Sequence, residues 1–172
     1  TSASKEVIER QMRQMNLEVA GDGDKSIIVF DRPKDLKGTG ILTFTHKTEA
    51  DEQWLYLPAL KRVKRISSAD KSGPFMGSEF AYEDLTSPEI EKYTYRYLRD
   101  ESIEGQPCYV VERIPIDKNS GYTRQETWVD QAEYRAQRVD YYDRKNTLLK
   151  TMLVRNYQQH LNRHWRPGET FM

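Results

Sequence analysis

Residues 54–66 read Trp54-Leu55-Tyr56-Leu57-Pro58-Ala59-Leu60-Lys61-Arg62-Val63-Lys64-Arg65-Ile66, two runs of strand formers on either side of a proline. Pro58 has no N–H to give a central ladder, so the first run stops there. Lys61 to Ile66 then fits as the hairpin partner of Trp54 to Leu57 across Pro58-Ala59-Leu60. On a strand, Lys61 and Arg65 share one face with Val63 between them, and Arg62 and Lys64 share the other. These four cations are the most concentrated basic run in the chain. Such a run protects an exposed sheet edge against further pairing. Edge protection is the preferred reading; the functional alternative is an anionic partner: a lipid headgroup, a membrane surface or an acidic protein patch.

The same texture extends outward in both directions. Upstream, Gly21-Asp22-Gly23-Asp24 introduces the β-branched run Lys25 to Phe30, and Gly38-Thr39-Gly40 introduces Ile41 to His46. Downstream, Tyr93, Tyr95 and Tyr97 alternate with Thr94 and Arg96. Gly105-Gln106-Pro107 leads into Cys108 to Ile116, and Asn119-Ser120-Gly121 into Tyr122 to Asp130, followed by Tyr134 to Tyr142 and Thr147 to Gln158. Short strands at regular spacing predict a mainly β, antiparallel meander. Two segments depart from it. Ser4 to Leu17 fits a helix and an extended strand equally well, and Ser68 to Ser87 lacks period two. The Gly73-Pro74 and Gly77 breaks there predict short helical turns and loop, carrying Phe75, Met76, Phe80, Tyr82 and Leu85.

Composition bounds the function. The chain has 172 residues, a mean hydropathy of −0.88 and no apolar run long enough for a membrane helix. Lys+Arg and Asp+Glu both count 27, which argues against a nucleic-acid coat protein. Aromatic residues at 11% argue against disorder. Cys108 is alone, so no disulfide forms within the chain, and its place at a strand start predicts an inert buried thiol. His160 and His164 have the spacing of two ligands on one helical turn, but no HExxH glutamate or nearby third ligand accompanies them. A solvated strand end is the preferred reading, with no metal or other cofactor. Glu83-Asp84, Asp130, Asp140 and Asp143 could supply an acid–base pair, yet no spacing fixes one, and GxSxG and phosphate-loop motifs are absent. The expectation is a non-enzyme.

At this point the chain resembles a known family. Pro33-Lys34-Asp35-Leu36-Lys37-Gly38-Thr39, the run 54–66, Phe75-Met76-Gly77-Ser78-Glu79-Phe80 and Tyr82-Glu83-Asp84 together look like the signature of LolA-like outer-membrane lipoprotein-sorting proteins. The resemblance implies one domain over 1–172, a strongly curved antiparallel sheet forming an unclosed half-barrel, its concave face covered by short helices. It implies a periplasmic carrier or chaperone that shields lipoprotein acyl chains, or another lipid, for delivery to the outer membrane. Phe44, Trp54, Tyr56, Phe75, Met76, Phe80 and Tyr82 are then the cavity and lid candidates. Arg32, which precedes Pro33, is the lid-latch candidate, and Lys61, Arg62, Lys64 and Arg65 the partner or headgroup site. Implied partners are the acyl cargo and a membrane exporter or outer-membrane acceptor, without nucleic acid. The alternative is an adaptor that docks on an exporter without carrying lipid. The chain starts at Thr1, so a signal peptide is expected to have been removed. The family's last strands are expected beyond Met172.

Overall fold

A computed structural model describes residues 9–67, 69–162 and 164–172. The chain divides into two compact units: residues 1–70 with 84–89, and residues 71–83 with 90–172.

The first unit is a five-stranded antiparallel meander: β1 (Gln11–Leu17), β2 (Lys25–Arg32), β3 (Gly40–Phe44), β4 (Glu52–Leu57) and β5 (Arg62–Ile66), hydrogen-bonded in chain order. The candidate helix at Ser4 to Leu17 is a strand from Gln11 onward, and its first five residues lie outside the described ones. One face of this sheet is packed, with Ile28, Phe30, Ile41, Leu55 and Ile66 buried beside Thr39, Thr43 and Gln53. Gln53 donates to the Thr43 hydroxyl at 3.3 Å, which satisfies two polar groups that burial would otherwise penalise. The hairpin expected across Pro58-Ala59-Leu60 is present, with Leu57 opposite Arg62 and Gln53 opposite Ile66. One detail differs from the sequence reading. Lys61 sits in the turn with φ of 48°, so only Val63 and Arg65 share a strand face there.

The second unit is a six-stranded antiparallel sheet of β6 (Tyr93–Ile103), β7 (Gln106–Pro115), β8 (Arg124–Asp130), β9 (Ala136–Tyr142), β10 (Leu148–Arg155) and β13 (Glu169–Phe171). A separate ribbon pairs β11 (Gln158–His160) with β12 (His164–Arg166). The β6–β7 link is the two-residue turn Glu104-Gly105, with φ of 51° and 84°. A tight hairpin turn of that handedness needs positive φ at both central positions, which glycine adopts freely. This sheet has an apolar cluster on each face. Cys108, Val110 and Trp128 form one, while Tyr122, Val139 and Tyr141 form the other with Met152 and Met172 packed against them. Cys108 is fully buried, and burial pushes its thiol pKa up.

The expected helices over a concave face are not found. Among the described residues the helical segments are four 3-10 turns of three or four residues. In residues 71–83 the reason is local. Pro74 cannot donate, Met76 and Gly77 take φ of 50° and 70°, and the backbone bonds as a hairpin instead. Phe75 N–H donates to the Phe80 carbonyl, Tyr82 N–H to Gly73 and Glu83 N–H to Lys71, around a Pro74–Ala81 bridge. We call this hairpin the flap.

Candidate functional site

Register fixes what the second face of the β1–β5 sheet carries. Met15, Ile27, Leu42 and Trp54 stand in line across four strands, and Val29, Gly40, Tyr56 and Val63 form the neighbouring line. Phe44 lies beside them, its ring 5.1 Å from that of Trp54 in an edge-on contact. An antiparallel sheet with one packed face normally turns a polar face to water. Here the other face is apolar as well. Ile27, Val29, Leu42, Phe44 and Trp54 are half-buried, and Met15, Leu17, Tyr56 and Val63 are exposed. Cations border this surface: the Lys25 ammonium lies 4.5 Å from the Phe44 ring centre, and the Arg65 guanidinium 5.9 Å from that of Trp54. Phe44, Trp54 and Tyr56 thus share the face that the sequence alone left unassigned. Ile27 and Leu42 lie in runs that the sequence marked as strands, but only the register puts them in one row with Trp54.

Phe75, Met76, Phe80 and Tyr82 belong to the flap. Phe75 is buried edge-on against Tyr82 at 5.5 Å, and Met76 and Phe80 are half-buried. Polar contacts fasten the flap to the rest of its unit. The Glu83 carboxylate accepts from the Ser120 hydroxyl at 2.8 Å and the Gly121 N–H at 2.9 Å. Lys71 pairs with Asp117, and Lys150 donates to the Glu79 carbonyl while standing over the Tyr122 and Tyr141 rings. Gly121 is required by proximity, because a Cβ there would lie 2.7 Å from the Ser72 Cβ. An open cleft of about 510 Å³ runs between flap and sheet, bordered by Pro74, Glu79, Tyr122, Arg144 and Lys150. The sequence singled out Glu83 as a candidate acid. Its partners in the Asn119-Ser120-Gly121 turn are 37 and 38 residues away, a pairing that no local pattern encodes.

The remaining candidates are placed as follows. Arg32 is exposed at the end of β2, on an open cleft of about 610 Å³ with Glu9, Lys34 and Lys37. Arg65 is tied to Glu52 at 2.6 Å, whereas Lys61, Arg62 and Lys64 have no carboxylate at ion-pair distance among the described residues. His160 and His164 are direct cross-strand partners on the β11–β12 ribbon, not neighbours along one strand. Asp130 and Asp140 are engaged structurally. Asp130 accepts from Arg135 and Gln137, and Asp140 from Arg138 and Thr151.

The opposite face of the second sheet is a charge lattice. Arg96 and Arg124 flank Glu112, Arg99 and Arg124 flank Glu126, and Arg138 grips Asp140 with two hydrogen bonds. Trp128 lies between the Arg99 and Arg138 guanidiniums, 5.7 and 4.6 Å from its ring.

Comparison with known proteins bears on this arrangement. A family model whose description reads "Uncharacterized protein" matches residues 22–172. A crystal structure classed as an outer membrane lipoprotein-sorting protein domain, from Vibrio parahaemolyticus, is 59% identical. It superposes with a TM-score of 0.92 over 94% of this chain and 68% of that one. The chain belongs to this LolA-like family. A DUF1329 family protein from Desulfovibrio piger is 32% identical, with a TM-score of 0.85 over 95% of this chain and 70% of its own. The LolA superfamily protein NE2245 from Nitrosomonas europaea shares the fold at 24% identity, with a TM-score of 0.67 over 92% and 73% of the two chains. No curated protein matches.

Proposed function

We propose that the protein is a non-enzymatic periplasmic carrier that shields lipoprotein acyl chains, or another lipid, on the way to the outer membrane. The observation that carries this reading is the apolar row Met15–Ile27–Leu42–Trp54, left accessible on a sheet whose other face is already packed. Membership of a family whose 59%-identical relative is classed with lipoprotein sorting supports the cargo class. Burying a chain of about sixteen carbons completely yields on the order of 12 kcal/mol, at ~0.8 kcal/mol per CH₂. An open face covers one side of the chain, so roughly half of that is available before ordering costs. The result is a grip that releases, as a carrier requires. Phe44, Trp54 and Tyr56 contact the acyl chain on this surface. The flap residues Phe75, Met76, Phe80 and Tyr82 act as a movable cover over the Tyr122–Val139–Tyr141 cluster, a second apolar surface that becomes available when the flap lifts.

The test is quenching of Trp54 fluorescence by a brominated acyl chain, with Trp54→Phe as the control for Trp128 and Trp165. Saturable quenching that disappears in Trp54→Phe and weakens in Leu42→Asp is expected. A wild-type protein whose emission ignores the brominated chain, while its β-sheet circular dichroism is intact, refutes the carrier.

A further inference from the structure

The geometry points to the β4–β5 hairpin as the edge by which this protein docks on an anionic lipid surface. Three observations converge. The hairpin presents Leu60 and Val63, each 64% exposed, with Lys61 in the turn and Arg62 and Lys64 on the strand face opposite Val63. Those three cations have no ion-pair carboxylate among the described residues, although the whole chain carries equal numbers of acidic and basic groups. In a chain of zero net charge, the run 61–65 is thus a local concentration of positive charge. Finally, β5 is the last strand of its sheet, and Arg62 to Arg65 are exposed along it.

Edge protection alone explains the lysines, which keep another strand from pairing. It does not explain the two large apolar side chains among them, which invite the association that the charges prevent. Exposed apolar groups and cations gathered at one hairpin, edge-on to the surface, are a combination that holds a protein at a bilayer interface. The cations meet anionic headgroups while the apolar side chains enter the headgroup–acyl boundary, and neither signal alone suffices. An acidic protein patch would satisfy the charges but would need an apolar centre of its own to cover Leu60 and Val63. Arg65 takes little part, because Glu52 and Trp54 already engage it. This docking deepens the carrier reading and rests on it for its purpose. Val63 is directly opposite Tyr56, beside Trp54, so an acyl chain leaving a bilayer at this edge meets the apolar face immediately.

The experiment is co-sedimentation of the full chain with vesicles of phosphatidylcholine alone or with about one-third phosphatidylglycerol. Binding should require phosphatidylglycerol and fall steeply as salt rises. The variant Lys61→Glu/Arg62→Glu/Lys64→Glu should lose ~100-fold or more in vesicle affinity, from roughly fivefold for each cation beside an anionic surface. Leu60→Ser/Val63→Ser should lose binding while keeping every charge. The milder Lys61→Ala/Arg62→Ala/Lys64→Ala variant guards against a fold defect, and thermal melting verifies all three. Wild type that ignores phosphatidylglycerol vesicles, or a charge-reversed variant that binds them normally, overturns the inference and leaves the cations to a protein partner. Brominated-chain quenching in the same variants separates the two readings. Retained quenching with lost vesicle binding isolates the hairpin as the dock. Vesicle binding by a wild type that shows no quenching would sink the carrier and keep the dock.

Discussion

Replacing Glu83 should unlatch the flap. Its carboxylate accepts two hydrogen bonds, from the Ser120 hydroxyl and the Gly121 N–H, both under 3 Å. A hydrogen bond to a charged group contributes about 1.5–3 kcal/mol net. Both donors regain water when the half-buried contact opens, so Glu83→Ala should shift the flap equilibrium by roughly 2 kcal/mol, about the contribution of one such bond rather than the sum of two. That is roughly a 30-fold rise in the open population. Glu83→Gln keeps one acceptor and loses the charge, so it should fall between wild type and alanine. Two measurements follow the change. Amide exchange at Gly121 and Tyr122 should accelerate in the order wild type, Gln, Ala, while strands β7 to β9 remain protected. If the flap covers a second acyl surface, apparent affinity for a fluorescent fatty acid should rise with the open fraction, because binding no longer includes the cost of unlatching. Unchanged exchange at Gly121 would refute Glu83 as the fastening. Faster exchange with no gain in acyl binding would refute the flap as a cover.

Gly121→Ala should produce the same phenotype without touching a charge. A Cβ 2.7 Å from the Ser72 Cβ and 3.0 Å from the Glu83 Oε1 forces the flap away, at about 1–3 kcal/mol for such overpacking, readable as lower thermal stability with faster flap exchange. The His46–Asp22 pair gives the first unit a pH signature. The hydrogen bond between them raises the His46 pKa above its ordinary 6.5 and lowers that of Asp22 to about 2. The histidine's contribution is full below pH 6.5 and fades as pH rises through its folded value, whereas the aspartate's is full above pH 3.8 and fades toward pH 2. The pair's contribution should therefore be greatest between about pH 4 and 6.5, and Asp22→Asn should flatten the melting-temperature profile across both limbs. Cys108, fully buried with a raised pKa, should resist a thiol reagent in native buffer and react at the rate of global unfolding. Rapid stoichiometric labelling would contradict the packing of the Cys108–Val110–Trp128 cluster.

Strand alternation and proline or glycine punctuation made most of the fold legible. Lys25 to Phe30, Trp54 to Leu57 and Cys108 to Ile116 all became strands within a few residues of their expected ends. These signals are local, and a strand's face pattern needs only its own residues. The flap resisted because its helical turns, sited correctly by Gly73-Pro74 and Gly77, close through backbone bonds between residues 73–75 and 80–82 that leave no side-chain period. Phe44, Trp54 and Tyr56 were singled out as apolar, yet their common face with Met15 and Ile27 depends on the register of four strands. Register is set by cross-strand packing, which one strand's sequence does not contain. The Lys61 to Arg65 run was visible as charge. That Arg65 is occupied while Lys61, Arg62 and Lys64 remain available is a tertiary fact.

The charge lattice on the second sheet has a consequence for how this chain can vary. Glu112 answers to Arg96 and Arg124, Arg124 also answers to Glu126, and Glu126 to Arg99. Glu112 and Asp140 are both buried, so losing one partner leaves an opposite charge short of compensation in a poorly hydrated place. Substitutions at these positions are therefore accepted in matched sets, with β6, β7 and β8 drifting together. Among homologues, the guanidinium and carboxylate positions should exchange or neutralise jointly, while the solvent-facing residues of β1 vary one at a time.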